Sequence, residues 1–173
     1  IPMPLQDLYF DYTVTSASKE TINLFAVAVP KKIVDSYLVL ARMCGLEAML
    51  VETTMAAAAR LFARDKFSDV TSVIIDFGSL TADISIFHKT TLVTGTVPAG
   101  GLVFTGAIRD KLGVSDAEAG VIKTKYGLGV SKKQKEISDA VNPALQKIVK
   151  EIRRMVRYYE ERYGTEYPIG QII

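Results

Sequence analysis

The chain is predicted to be an α/β protein with two sheets, one small and one mixed. Apolar residues alternate with a period of two over residues 73–97 and recur with the helical period after Gly101. A separate segment before residue 65 has strand and helix patterns of its own. We therefore expect one domain over residues 1–65 and a second over residues 70–173, with the boundary at residues 66–71.

The first domain is predicted to have the order ββαβα. Its first two strands are rich in aromatic and β-branched residues, and Pro30 then suits the first turn of a helix that Gly45 ends. An alanine-rich helix closes the domain. The predicted elements are strands at residues 8–15, 21–29 and 46–51 and helices at residues 30–44 and 54–64.

The second domain is predicted to place three closely spaced strands before its helices. A flexible loop is expected at residues 127–138 and a long helix at 141–163. The long helix has an apolar stripe opposite a basic face, which also occurs in helices that lie on anionic membranes. Because acidic residues interrupt the basic face, a core helix with a solvated side is the favoured interpretation.

Composition excludes several functional classes. The 173 residues are 49% hydrophobic, enough for a good core, and the formal charge of +2 gives no nucleic-acid footprint. Cys44 is the single cysteine, so no internal disulfide can form, and such sparing cysteine use fits a reducing cytoplasm. The lone His88 has no partners that predict catalysis or a transition-metal site. No apolar run approaches the roughly 20 residues of a membrane-spanning helix.

The turn after the first strand of the second domain has the residues of a phosphate site. Asp76 leaves a buried strand and can hold Mg²⁺ directly or through water. Gly78 has no Cβ to block a phosphate oxygen, and Ser79 and Thr81 follow at close range. Asp83 can either organise the turn or touch the ligand. The alternative is an ordinary polar turn between two core strands.

A second glycine pair precedes the next predicted helix. Gly100 and Gly101 stand where the helix N-terminus would offer free N–H groups and the positive end of its dipole to a phosphate. The alternative is a simple turn. Two such loops in one domain favour a nucleotide site.

The order of these motifs resembles the second half of an actin-superfamily nucleotide-binding protein, and most closely the PilM family of type IV pilus assembly proteins. The residues before 65 are similar to the small subdomain that PilM and FtsA proteins share and actin lacks. Ser79-Leu80 stands where FtsA proteins have Gly-Gly, which favours PilM. The resemblance rests on Asp76-x-Gly78-x-x-Thr81-x-Asp83, Pro98-x-Gly100-Gly101-x-x-x-Thr105, Ala117-Glu118 and Lys123-x-x-Tyr126-Gly127.

The resemblance implies ATP with Mg²⁺, bound at Asp76, Gly78, Ser79, Thr81, Gly100, Gly101 and Lys123. It implies a cytoplasmic adaptor, peripheral to the inner membrane, that binds the cytoplasmic N-terminal segment of a PilN-like protein. A pilus motor ATPase and self-association are further implied contacts. An FtsA-like division filament and a kinase of the same superfamily are the alternatives.

Departures from the family pattern predict weak nucleotide binding. Gly120 stands where the family usually has a ribose-facing glutamate. Glu118 is two residues away and therefore about 200° around the helix from residue 120, so it cannot replace that glutamate. The first phosphate loop and the adenosine Gly-Gly loop are not in the chain, which we interpret as a piece of a longer protein. We expect weak or no ATP binding and no turnover by these 173 residues.

Overall fold

The computed structural model describes residues 3–62, 69–164 and 166–173. The chain divides into two compact units, Ile1–Leu61 and Phe62–Ile173. Part of the expected boundary, residues 66–68, and the expected end of the second helix at residues 63–64 lie outside the described residues.

Unit 1 is built on a two-stranded antiparallel ribbon. After a short 3₁₀ turn at Leu5–Asp7, strands β1 (Leu8–Ala17) and β2 (Ile22–Pro30) pair along almost their full length. Helix α1 (Lys31–Met43) starts directly after Pro30, as predicted, and helix α2 (Thr54–Phe62) follows. The Tyr9 hydroxyl donates to Asp35 at 3.0 Å and so joins β1 to α1.

The strand predicted at residues 46–51 is not formed. This segment has no strand assignment, and Leu46, Met49 and Leu50 are at least 65% exposed. A strand needs a neighbour that accepts and donates its backbone hydrogen bonds. No strand among the described residues pairs with residues 46–51. The segment is therefore irregular, although its local pattern favours a strand.

Unit 2 contains a four-stranded mixed sheet in the order β5-β4-β3-β6. Its strands are β3 (Thr71–Phe77), β4 (Ala82–His88), β5 (Thr90–Val97) and β6 (Ile169–Ile172). The first three are adjacent and antiparallel, while β6 runs parallel to β3. The prediction of a mixed sheet with neighbouring strands over residues 73–97 is confirmed.

Three helices follow the β-meander: α3 (Gly101–Leu112), α4 (Asp116–Tyr126) and α5 (Gln134–Tyr163). The expectation of a loop through residue 138 is wrong, since α5 starts at Gln134 and continues past Pro143. Ile137 and Val141 are buried four residues apart. Their packing against Ile108 and Ala119 extends the helix towards its N-terminus.

The core of unit 2 lies between α5 and the sheet. Side chains of β3, β4 and β5 pack against one stripe of the helix, as expected for a helix that covers one sheet face. The buried members are Val73, Ala82, Ile84, Ile86, Val97, Ala99, Ala144, Ile148, Met155 and Tyr159. This core holds the β3–β4 turn and the start of α3 at the same end of the sheet.

Candidate functional site

Two carboxylates face each other near the turn that joins β3 to β4. Asp76 is paired with Asp83 across the antiparallel ladder, so both side chains lie on the same sheet face. Asp83 accepts a hydrogen bond of 2.6 Å from the Thr96 hydroxyl on β5. Asp76 is exposed and is the freer of the two acids to meet a ligand.

The β3–β4 turn is bonded to the N-terminus of α3. Within the turn, the Gly78 N–H donates to the Thr81 carbonyl at 2.9 Å. The carbonyls of Gly78, Ser79 and Leu80 then accept from the first residues of the helix. These bonds are Gly101 N–H to Gly78 at 2.9 Å, Leu102 N–H to Ser79 at 2.8 Å and Gly100 N–H to Leu80 at 3.0 Å.

Gly100 is in close contact with the backbone of the turn. A Cβ on this residue would lie 2.5 Å from the carbonyl carbons of Ser79 and Leu80. Real side chains do not approach a backbone so closely, so only glycine fits at this position. Gly100, which was predicted to offer its N–H to a phosphate, lets the turn and the helix approach each other.

The first turn of α3 therefore has few free donors. Besides Gly100, Gly101 and Leu102, the N–H groups of Val103 and Phe104 both reach the Gly100 carbonyl, at 3.0 and 3.4 Å. A helix N-terminus binds an anion through N–H groups that have no other acceptor. In this structure the Gly100 and Gly101 N–H groups, expected to meet phosphate, hold the turn.

The turn itself presents donors in the opposite direction. In a trans peptide the N–H points away from the carbonyl of the preceding residue, and no cis peptide bond occurs in the described chain. Because the carbonyls of residues 78–80 point to α3, the N–H groups of Ser79, Leu80 and Thr81 point away from it. Consecutive N–H groups in a turn form a concavity suited to an anion. Sequence reasoning had selected this turn but not these donors.

Lys123 on α4 lies at the same end of unit 2. Its ammonium donates to the Gly101 carbonyl at 2.9 Å, and the Thr105 hydroxyl donates to that oxygen at the same distance. The structure thus brings Lys123 to the glycine pair, in contact with the loop that was predicted to hold phosphate.

Gly120 and Glu118, the two α4 residues at which the chain departs from the family pattern, differ in their surroundings. A Cβ on Gly120 would meet nothing within 4 Å, so the side of the helix where the family's glutamate was expected is open. Glu118 instead closes a capping box with Ser115, accepting its N–H at 2.9 Å and its hydroxyl at 2.8 Å. These bonds lower the pKa of Glu118. The sequence Ser-x-x-Glu before a helix is a recognised signal for this cap.

A buried polar cluster that the sequence did not predict lies at the other end of the strands. Thr71 contacts His88 Nδ1 at 3.2 Å and donates to the Tyr167 carbonyl at 3.2 Å, and the Tyr159 hydroxyl donates to the same carbonyl at 2.6 Å. His88 also stacks on the Tyr167 ring with centroids 4.1 Å apart. Burial lowers the pKa of His88 and raises that of Tyr159.

Unit 1 carries an apolar groove of about 610 Å³ between its ribbon, α1 and the segment before α2. Most of its lining residues are aliphatic or aromatic, and its two acidic residues are Asp11 and Glu52, the latter paired with Arg60. The hydrogen bond to Asp35 raises the pKa of the Tyr9 hydroxyl. The groove is lined by Tyr9, Phe10, Asp11, Val27, Val29, Ile33, Val34, Tyr37, Leu38, Val51, Glu52 and Thr53.

Residues 3–62, 69–164 and 166–173 contain neither a metal-ligand cluster nor a membrane-spanning helix. No three His, Cys, Asp or Glu side chains in these ranges converge on one point. None of the helices described there is long and apolar enough to cross a membrane.

The fold of this chain is similar to that of solved actin-like proteins. It matches a structure of the PilM–PilN type IV pilus biogenesis complex over 100% of its own length and 51% of that chain, at 19% identity and a TM-score of 0.76. It matches MreB 5 of Spiroplasma citri bound to AMPPNP over 75% of its length and 48% of that chain, with 19% identity and a TM-score of 0.63. The ethanolamine utilization protein EutJ from Carboxydothermus hydrogenoformans matches over 76% and 45%, with 19% identity and a TM-score of 0.59.

The family model for the type IV pilus assembly protein PilM matches residues 1–172. The chain belongs to the PilM family. It spans about half the length of the solved structures it matches. A search of curated proteins finds no match.

Proposed function

We propose that this chain is the partner-binding and phosphate-binding part of an actin-like adaptor in type IV pilus assembly. Its membership of the PilM family and its actin-like fold support this. The observation that carries the nucleotide half of the proposal is the β3–β4 turn, whose N–H groups at residues 79–81 point away from α3 next to the exposed Asp76. ATP acts here as a bound ligand, with slow or no hydrolysis.

Each turn residue has a defined role in the proposed site. The N–H groups of Ser79, Leu80 and Thr81 bind phosphate oxygens, and Gly78 leaves room for them. Asp76 holds Mg²⁺, directly or through water, and the ion would offset the phosphate charge. Gly100, Gly101 and Lys123 support this turn from behind through the bonds described above.

The nucleotide site can be tested by titrating Mg-ATP into the ¹⁵N-labelled chain and following its amide signals, since this detects even millimolar affinity. We expect the largest shifts at residues 78–81. Asp76→Asn should raise the Kd about tenfold or more, as expected for loss of a charge-assisted contact worth about 1.5–3 kcal/mol. Asp139→Asn, the same change at an exposed position of α5, should leave the Kd unchanged. Shifts that avoid the turn would contradict the assignment.

The partner half of the proposal places a short PilN-like peptide in the groove of unit 1. The groove has the size of a ligand or peptide site and a mainly apolar lining with a few polar groups, as such sites commonly have. The solved complex that the chain resembles contains PilN, which supports this choice of partner. We place the adaptor in the cytoplasm, peripheral to the inner membrane. Contacts with a pilus motor ATPase and self-association belong to the same proposal.

A titration with a peptide from the cytoplasmic N-terminus of a PilN protein tests this half separately. Tyr37 lines the groove and is 66% exposed, so Tyr37→Ala should weaken binding about tenfold or more without unfolding unit 1. Tyr12, 58% exposed in the same unit, does not line the groove. Tyr12→Ala is therefore the matched control and should bind as the parent does. Equal losses in both variants would place the peptide elsewhere.

A further inference from the structure

Strand β5 is an open edge of the unit 2 sheet. Among the described residues it pairs only with β4. Proteins usually protect such an edge with charges or prolines along the strand, because its free N–H and C=O groups can pair with another chain. The eight residues Thr90–Val97 contain neither. Leu92, at a break in the register, adds an irregularity at one end, while Val93–Val97 pair regularly.

Helix α5 packs on the face of the sheet and comes close to this edge strand. A Cβ on Gly95 would come within 2.8 Å of Met155 Sδ and 2.9 Å of Glu151 Oε1, so glycine allows this approach. Strand and helix together form a groove of about 290 Å³. It is lined by Leu92, Val93, Thr94, Arg154, Met155 and Tyr158.

The helix side of the groove presents a row of cations around one aromatic ring. Arg154, Tyr158 and Arg162 stand four residues apart in succession and therefore share one flank of α5. The Arg162 guanidinium lies 4.5 Å from the centre of the Tyr158 ring. Arg154 is 71% exposed, although it pairs with Glu151. The two arginines are about 12 Å apart along the helix at 1.5 Å per residue.

The surrounding surface of α5 has an excess of positive charge. Residues 147–162 carry six cations against three carboxylates. Lys147, Lys150 and Arg157 are exposed, and no salt bridge involves them within the described residues. An extended strand advances about 3.3 Å per residue, so acidic residues four positions apart would span about 13 Å and match the two arginines.

We propose that the β5 edge is a second docking surface, which binds an extended acidic peptide segment of a partner protein by strand addition. The peptide backbone pairs with β5, and its carboxylates meet Arg154 and Arg162. The charge argues against a second copy of this chain as the occupant, because pairing two β5 strands would bring the same cations together. This surface shares no residue with the turn at residues 78–81 or with the groove of unit 1.

The test uses a fluorescein-labelled synthetic peptide, Thr-Glu-Val-Thr-Val-Glu-Thr, which carries glutamates four positions apart. Fluorescence anisotropy with the 173-residue chain should give at least about tenfold tighter binding than the same peptide with lysines in place of the glutamates. A third peptide, N-methylated at alternate backbone amides, cannot complete the strand pairing and should lose most of the affinity. In ¹⁵N spectra the acidic peptide should shift the amides of residues 92–96.

Two charge-reversed variants complete the experiment. Arg154→Glu should weaken binding of the acidic peptide by about tenfold or more. Lys135→Glu, which also reverses one positive charge at an exposed position of α5, should have little effect on binding. Equal binding of the acidic and lysine peptides, or amide shifts outside β5 and α5, would overturn the proposal. Concentration-dependent dimers that protect β5 amides would overturn it in favour of a second copy.

Discussion

Gly100 donates its N–H to the Leu80 carbonyl at 3.0 Å and lies so close to this residue that a Cβ would be 2.5 Å from its carbonyl carbon. This contact joins the turn after β3 to the helix that starts twenty residues later. Together with the bond from the Gly101 N–H to the Gly78 carbonyl, it pairs the N–H groups of the glycine pair with the turn. The proposed phosphate site is the outer side of the turn that this contact holds.

Gly100→Ala should destabilise unit 2. The added methyl must push the turn away from α3, which we expect to cost about 1–3 kcal/mol of unfolding free energy, as in other overpacked sites. Gly106→Ala in the same helix adds its methyl to open space and should be neutral or stabilising by up to about 1 kcal/mol. Urea denaturation of both variants makes the comparison. A neutral Gly100→Ala would show that the turn can move freely.

Tyr159→Phe should destabilise the protein by about 1–2 kcal/mol, because it removes the 2.6 Å bond to the Tyr167 carbonyl. Tyr159 is fully buried, so water cannot replace the lost hydroxyl. The control is Tyr126→Phe, at a residue 41% exposed at the end of α4, which should change stability by less than about 0.5 kcal/mol. Similar losses in the two variants would argue against the buried bond as the cause.

Stability should fall in mild acid because of His88. Burial, aided by Lys89, lowers the pKa of its imidazole in the folded protein. The unfolded chain, with an ordinary pKa of about 6.5, then binds more protons as the pH falls below that value. The stabilising effect of the neutral ring is complete above about pH 6.5 and is lost as the pH falls towards the folded pKa.

The measurement is the unfolding free energy at about pH 7.5 and about pH 5.5. His88 is the one histidine of the chain, so His88→Phe should remove most of the difference while keeping the stack on Tyr167. An unchanged pH dependence in the variant would assign the effect to other groups.

Ser115→Ala should cost about 1 kcal/mol, the usual loss for a helix N-cap. The Glu118 N–H loses its acceptor and the Glu118 carboxylate loses the hydroxyl, while the bond from the Ser115 backbone N–H to that carboxylate can remain. Ser138→Ala, at an exposed position inside α5, should not destabilise. Thermal unfolding followed by circular dichroism distinguishes the two.

The local period of apolar residues was sufficient to predict an element when the strands that pair with it are close in the chain. The β-meander over residues 73–97 and the ribbon of unit 1 were predictable because alternating side chains and short turns define antiparallel pairs. Periodicity failed at residues 46–51, where strand formation depends on a neighbour. It also failed at residues 134–138, where burial of Ile137 among other helices extends α5.

The sequence by itself determined the α/β class, the mixed sheet, the small separate unit and the positions of the two glycine-containing loops, because backbone propensity and side-chain period are local properties. Only the tertiary structure decided how the donors are used. The N–H groups of Gly100 and Gly101 turn inward because β3, β4 and α3 meet at that end of the sheet. The cluster of Thr71, His88, Tyr159 and Tyr167 joins positions up to 96 residues apart. No local pattern encodes such contacts, since they arise only when the elements pack.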